Sequence, residues 1–262
     1  MGSMLERTEN LEILEWLTPI DYGPRQSDFL RSRQEGTGTW LLHKDEFNTW
    51  LNQANKTLFC PGVPGAGKTI LTAIVIDYLN NSYASDSTSD IGIAYVYCNF
   101  QRQDEQKAED LLLSLLKQFV QRQSNLPKSV KALYERHNRK RTRPLFKEIE
   151  EALLLVIPCF SRAFIIVDAL DECGISDNRR NQFLSSIFSL QAKTRANIFA
   201  TSRINHDVAK LFNTALSFQI CANVDDVESY LNHQMSLLQS GILDEDLRDS
   251  IRREIIRNVD GM

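Results

Sequence analysis

The chain has 262 residues, 42% apolar and 24% charged, enough for one large α/β domain with appendages and an ample core. A net charge of −4 gives no general attraction to nucleic acid or to an anionic membrane, so neither is an expected partner. The most apolar window, Ala152 to Leu170, is interrupted by Pro158, Ser161, Arg162 and Asp168, which excludes a membrane span there.

Taken in chain order, residues 1–54 come first as a lead-in that carries all three tryptophans, Trp16, Trp40 and Trp50. Aromatics at this density predict docking against the domain that follows. Met1 to Glu15 lacks the apolar centre of a secretory signal, and Glu6 stands where a myristoylation signal needs Ser or Thr. Gly36-Thr37-Gly38 reads from its residues as a tight turn, or else as a nucleotide-facing lip.

Residues 55–222 alternate strand-like and helix-like segments, the pattern of a parallel sheet flanked by helices. The predicted strands are Thr57 to Cys60, Ile93 to Cys98, Ala163 to Val167, Ala196 to Thr201 and Leu216 to Cys221. Between them fall helices over Lys68 to Asn80, Gln106 to Arg122, Ser129 to Arg136, Phe146 to Ile157 and Asn181 to Leu190. Asn80 to Asp90 is a polar loop. Residues 223–262 read as the start of a further helical region, with helices over Asp225 to Leu238 and Leu247 to Val259.

Between the first strand and the first core helix lies Gly62-Val63-Pro64-Gly65-Ala66-Gly67-Lys68-Thr69, which fits G-x-x-x-x-G-K-[ST] in its meaningful strand–helix context. Glycines let successive backbone N–H groups turn inward as an anion nest. Lys68 supplies an ammonium for the outer phosphates and Thr69 a hydroxyl for Mg²⁺, while the helix start adds its positive end. Asp168 closes the apolar run of the third strand, where a magnesium-side carboxylate belongs.

The residue after Asp168 is Ala169, where fast P-loop motors commonly carry the water-activating glutamate; the acids come later, at Asp171 and Glu172. A base working from that turn is loosely aimed, and a misplacement near an ångström costs on the order of a hundredfold in rate. The expectation is slow hydrolysis. The fourth strand runs into Arg203, whose guanidinium either senses a terminal phosphate or pairs with a nearby acid.

Together, GVPGAGKT, IIVDALDE and Thr201-Ser202-Arg203 resemble the NACHT family of signal-transduction NTPases, within the STAND group of P-loop proteins. The opening EWLTPIDYGPRQSDFLRSRQEGTGTWLLHKDEFNTWL is similar to the segment before the core in fungal Nod-like receptors and nephrocystin-3-like N-terminal domains. The resemblance implies a three-layer P-loop sandwich whose five parallel strands run in the order 5-1-4-3-2, with a helical lead-in and C-terminal helices. It implies ATP or GTP with Mg²⁺, phosphate contacts along Gly62 to Thr69, metal contacts from Thr69 and Asp168, and water or γ-phosphate contacts from Asp171, Glu172 and Arg203. Gly36, Thr37 and Gly38 are implied to cover the base.

By the same resemblance the domain is a nucleotide-controlled switch for self-association in receptors of the innate-immunity or heterokaryon-incompatibility type. Such relatives also carry effector and repeat domains, so this chain reads as a fragment, either a piece of a longer protein or a short gene product. Other readings of the same loop are a fast ATPase or kinase, or a non-hydrolysing scaffold. The run Arg136 to Arg143 is basic but has no interleaved aromatic, and reads as a solvated helix end. Five cysteines without a CxxC pair predict reduced thiols and a cytoplasmic protein. Four widely spaced histidines make no metal constellation.

Overall fold

The computed structural model describes residues 2–83, 91–173, 179–237 and 245–259. Most of the predicted polar loop, residues 84–90, lies outside the described residues, as do 260–262 at the end.

Five strands form one parallel sheet: β1 (Thr57–Pro61), β2 (Ile91–Tyr97), β3 (Arg162–Asp168), β4 (Asn197–Ser202) and β5 (Leu216–Ser217). Their order is β2-β3-β4-β1-β5, the predicted arrangement with β4 between β1 and β3. Strands buried on both faces need near-continuous apolar runs. Leu58 to Cys60, Phe164 to Val167 and Ile198 to Ala200 supply them. The fifth strand is shorter than the sequence suggests: after Ser217 the chain regains the sheet only at an isolated bridge between Ile220 and Gly62.

Helix α4 (Lys68–Ser82) packs against β2, β3 and β4. A second helical layer, α5 (Ala108–Gln121), α7 (Phe146–Val156) and α8 (Arg179–Thr194), meets the sheet through β2, with α6 (Lys128–Asn138) beside α7. Leu111, Leu112, Leu115, Leu116 and Phe119 are the buried stripe of α5, as their helical spacing predicts. A short helix that the pattern does not announce, α9 (His206–Leu211), starts where the Asn205 side chain accepts hydrogen bonds from the N–H groups of Asp207 and Val208. Helices α10 (Val224–Leu237) and α11 (Glu245–Val259) pack on each other. Among the described residues no helix is long and apolar enough to cross a membrane.

The lead-in folds into α1 (Gly2–Leu17), α2 (Gly23–Ser32) and α3 (Asp45–Asn52), and its aromatics anchor it. Trp50 is fully buried against Phe164 and Phe199, and the Asn197 amide donates to the carbonyls of Trp50 and Gln53 at 2.6 and 2.8 Å. Trp16 meets Tyr134 edge-on, while the buried Lys117 donates to the Thr18 carbonyl and to Glu15 at 2.8 and 3.0 Å. The Gln26 amide donates to the Ala73 carbonyl at 2.9 Å and accepts from the Tyr97 hydroxyl, which fastens α2 over α4 and the end of β2.

One expectation is corrected. Cys98 and Cys173 are joined in a disulfide, their Cα atoms 5.4 Å apart. The register sets Tyr97 beside Asp168, so Cys98 lies one residue past the strand end where the turn after Asp168 brings Cys173 back. Parallel pairing therefore joins two cysteines 75 residues apart that spacing cannot pair. The bond also removes the argument from thiols to compartment. Cys60 is a buried thiol whose pKa burial pushes up, and Cys159 and Cys221 are exposed thiols.

Candidate nucleotide site

The Gly62–Thr69 loop joins β1 to α4 at the C-terminal edge of the sheet. Gly65 and Gly67 adopt φ of 83° and 84°, left-handed values that favour glycine, and a Cβ built at either meets nothing within 4 Å. The turn is thus an open cradle. Helix α4 begins at Gly67 with no side-chain cap, and its first-turn N–H groups have no intrahelical carbonyl to bond. Lys68 folds back to donate to the carbonyls of Gly62 and Val63 at 3.0 and 2.8 Å. Burial lowers its pKa, opposed by the nearby charges of Asp171, Asp168 and Glu172.

Gly62 and Pro64 shape the loop without offering amides. The Gly62 N–H is committed to the Ser202 carbonyl at 3.0 Å, and Pro64 has no N–H. A Cβ on Gly62 would stand 2.5 Å from the Ile220 carbonyl oxygen, backbone that cannot yield without breaking the bridge. Gly62→Ala is therefore expected to cost about 1–3 kcal/mol, read as a lower urea midpoint with an unchanged slope.

Asp168 is buried at the end of β3 and collects three hydroxyl donors: Thr201 at 2.7 Å, Thr69 at 2.8 Å and Thr72 at 2.9 Å. Burial raises its pKa above the ordinary carboxylate value, and the three hydroxyl bonds and Lys68 only partly offset that. A buried carboxylate this short of positive charge suits a divalent cation. The set fits Mg²⁺, which takes one or two protein oxygens and draws its other ligands from phosphate and water. Among the described residues no cluster of three or more His, Cys, Asp or Glu exists that could hold a metal unaided.

Past Asp168 the chain turns through Ala169 in the left-handed region, at φ 56° and ψ 51°, with its N–H donated to Thr201 Oγ1 at 2.9 Å. This conformation, costly for large or β-branched side chains, is a physical reason for a small residue here. Both acids of the turn then meet Arg203. Its backbone N–H donates to Asp171 at 2.8 Å, its Nε lies 3.2 Å from the same carboxylate, and its Nη2 lies 3.5 Å from Glu172. Glu172 also accepts from the Phe100 N–H at 3.3 Å. Arg203 thus takes the acid-pairing option at the end of β4.

Two cavities flank the loop. One, of about 270 Å³, is lined by Gly65, Ala66, Gly67, Thr37, Gly38, Trp40 and residues 221–223, 226, 227 and 230 among others. Asp226 of α10 closes it against the lead-in, accepting from the Gly38 N–H and the Trp40 indole N–H, each at 2.9 Å. Gly36, expected to cover a base with Thr37 and Gly38, does not line it; it sits exposed at the apex of its turn with φ 82°. The other cavity, about 510 Å³, is lined by Thr69, Asp168, Ala169, Glu172 and Asn99, and by Arg25, Asp28, Phe29 and Ser32 of α2. Of the predicted catalytic trio only Glu172 reaches its wall.

Sequence reasoning missed Thr72, Asp226 and the α2 face, and it picked out Thr201 only as part of the Thr201-Ser202-Arg203 strand end, without its bond to Asp168. Thr72 carried a usable signal, three positions after Thr69 on the same helix face. Asp226 carried none, being 188 residues from Gly38.

A Gly-rich turn between β1 and an uncapped helix, an Asp closing β3 and β4 inserted between those strands define an α/β domain of the P-loop NTPase fold. Residues 36–203, more than half of the chain, match the family described as nephrocystin 3, N-terminal, and the chain belongs to that family. No curated protein sequence matches it. Among solved structures, it is similar to the ORC1 protein of Aeropyrum pernix in complex with DNA, with TM-score 0.52 and 14% identity over 86% of this chain and 55% of that one. A Walker-type ATPase of Pyrococcus abyssi gives TM-score 0.52 and 13% identity over 87% and 64%. The Aeropyrum pernix ORC2 protein, in ADPNP–ADP complexes, gives 0.50 and 12% over 87% and 56%. At these identities the likeness is one of fold, and the chain spans less than two thirds of each of those proteins.

Proposed function

We propose that this domain is a nucleotide-binding switch of the NACHT kind, which takes ATP or GTP with Mg²⁺, hydrolyses it slowly and thereby controls self-association within a larger signalling receptor. The observation that carries the reading is the 2.8 Å contact of Thr69 Oγ1 with the buried Asp168, set beside Lys68 and the open left-handed turn. These groups have the chemistry to hold a metal-bound polyphosphate: N–H groups and an ammonium for its oxygens, a hydroxyl and a carboxylate for the cation. When bound, Mg²⁺ would neutralise charge on the outer phosphates. The cavity closed by Asp226 is the place for the nucleoside.

Slow turnover is supported by the company the acids keep. Asp171 and Glu172 both spend oxygens on Arg203, and Ala169 offers no carboxylate. A base held in an ion pair is poorly placed to take a proton from water. The reading includes no nucleic-acid partner, in keeping with the net charge of −4; within the basic run Arg136 and Arg143 pair with Glu148 and Asp110, while Arg139, Lys140 and Arg141 are exposed.

The test is titration calorimetry with ATP and GTP in Mg²⁺, followed by single-turnover hydrolysis with protein in excess. Binding of at least one nucleotide is expected, with turnover on the order of 10⁻² s⁻¹ or slower, the range of P-loop switches. Tens of turnovers per second would end the switch reading, and no heat with either nucleotide would end the assignment altogether.

A further inference from the structure

Helix α2 forms a wall of the cavity that contains the candidate metal ligands. Arg25, Asp28, Phe29 and Ser32 follow one another at helical i, i+3, i+4 and i+7 spacing, and all four line the cavity shared with Thr69, Asp168 and Glu172. Ser32, at the end of the helix, also lines the cavity closed by Asp226, so α2 runs along both sides of the phosphate loop. Among the described residues lining the metal-side cavity, Arg25 is the one cation, facing the acids Asp28, Asp168 and Glu172.

The three arginines near the loop differ in what occupies them, and Arg33, on the cavity of Gly65 and Gly67, donates its Nε to the Thr37 carbonyl at 2.9 Å. Arg203 is taken up by Asp171 and Glu172. Arg25 makes a single long hydrogen bond, 3.4 Å from its Nη1 to the Tyr97 carbonyl oxygen, which leaves most of its five N–H donors for a ligand. That bond contributes little to seating the helix. Gln26 does the seating through Ala73 and Tyr97, helped by the Phe29 ring 4.9 Å from Tyr97.

We propose that Arg25 supplies the cation that distinguishes a nucleoside triphosphate from a diphosphate at this site. The inference rests on the reading of Gly62–Thr69 and Asp168 as a nucleotide site. The metal ligands face Arg25's cavity, whereas Gly65 and Gly67 face the other, so the metal-bound end of a polyphosphate is delivered to the Arg25 side. In P-loop proteins that end is the β,γ pair, and a diphosphate lacks the outer member. A planar guanidinium with free donors matches phosphate oxygens two at a time. The lead-in thereby becomes part of the sensor, linking phosphate state to the packing of α2 on α4.

The test is calorimetry with the β,γ-imido analogues of ATP and GTP against ADP and GDP, all in Mg²⁺, on the parent protein and on Arg25→Ala, Arg25→Lys and Lys68→Ala. Arg25→Ala is expected to weaken triphosphate-analogue binding roughly ten- to a hundredfold while diphosphate affinity stays within twofold, with partial recovery in Arg25→Lys. Lys193→Ala, an exposed cation at the opposite sheet edge, controls for net charge and is expected to change neither. Retained diphosphate binding reports that the Arg25 variants are folded. Equal losses for both ligand classes in Arg25→Ala, or no loss, would overturn the inference while leaving the nucleotide site intact. A parent protein that binds neither class would overturn the underlying reading, and this inference with it.

Discussion

Lys68→Ala is expected to weaken binding of Mg²⁺ with ATP or GTP by a hundredfold or more, about 2.8 kcal/mol, and to leave the thermal midpoint of the nucleotide-free protein nearly unchanged. The two expectations come from different partners. Without ligand the ammonium donates to the Gly62 and Val63 carbonyls on a partly exposed loop, bonds that water replaces at little cost. Toward a polyphosphate it provides a charge-assisted bond beside a helix start, and deleting one partner of such a pair typically costs 2–5 kcal/mol. Calorimetry alongside a thermal melt separates the two. A variant that binds as the parent does would show that the loop does not use this lysine.

Asp168→Asn is expected to move stability and binding in opposite directions. The raised pKa of Asp168 means that the fold favours its protonated form. The stabilisation from that proton is complete below the unfolded carboxylate pKa and is lost as pH rises through the higher folded value. At neutral pH the ionised group therefore lowers the stability of the metal-free protein. Asparagine carries no charge, and its one oxygen can still accept from Thr72 and Thr201, which share Oδ1, while its NH₂ meets the Thr69 hydroxyl as a donor. The metal-free variant should melt at or above the parent, by roughly 2–4 °C for each kcal/mol released. It should also lose the Mg²⁺ dependence of nucleotide affinity, a drop of about a hundredfold. In the parent, that dependence should fade on acidification at a pH above the usual carboxylate range, because protons compete for a site whose pKa is raised. A metal-free variant melting far below the parent would mean that the carboxylate is structural.

Much of the frame was legible because its signals are local. The apolar runs of β1, β3 and β4 and the stripe of α5 are periodicities within one element. The ends of the elements expected with bounds, β5 apart, fell within a few residues of their expected places, while α9 was not expected and the lead-in was expected to be helical without bounds for its helices. The phosphate loop is local too, since left-handed glycines and the following helix start occupy eight consecutive residues. Even Ala169 was visible as an oddity, although its reason, a left-handed turn donating to Thr201, needed coordinates. The least legible parts were β5, which ends after two residues, and the lead-in, whose three helices dock through separate anchors.

Sequence by itself determined the alternation of strands and helices, the anion-binding turn and the acid that closes β3. Those features depend on conformational preferences and side-chain spacing along one stretch of chain. Only the tertiary structure decided which distant groups meet: Thr201 and Thr72 on Asp168, Cys98 with Cys173, Asp226 with Gly38 and Trp40, and Arg25 on the cavity of Thr69. In a parallel sheet, neighbours across a strand pair are set by register and by crossovers tens of residues long, as when Tyr97 comes to lie beside Asp168. No local pattern encodes that juxtaposition, because it arises from burying the sheet between two helical layers and packing the lead-in against the outside.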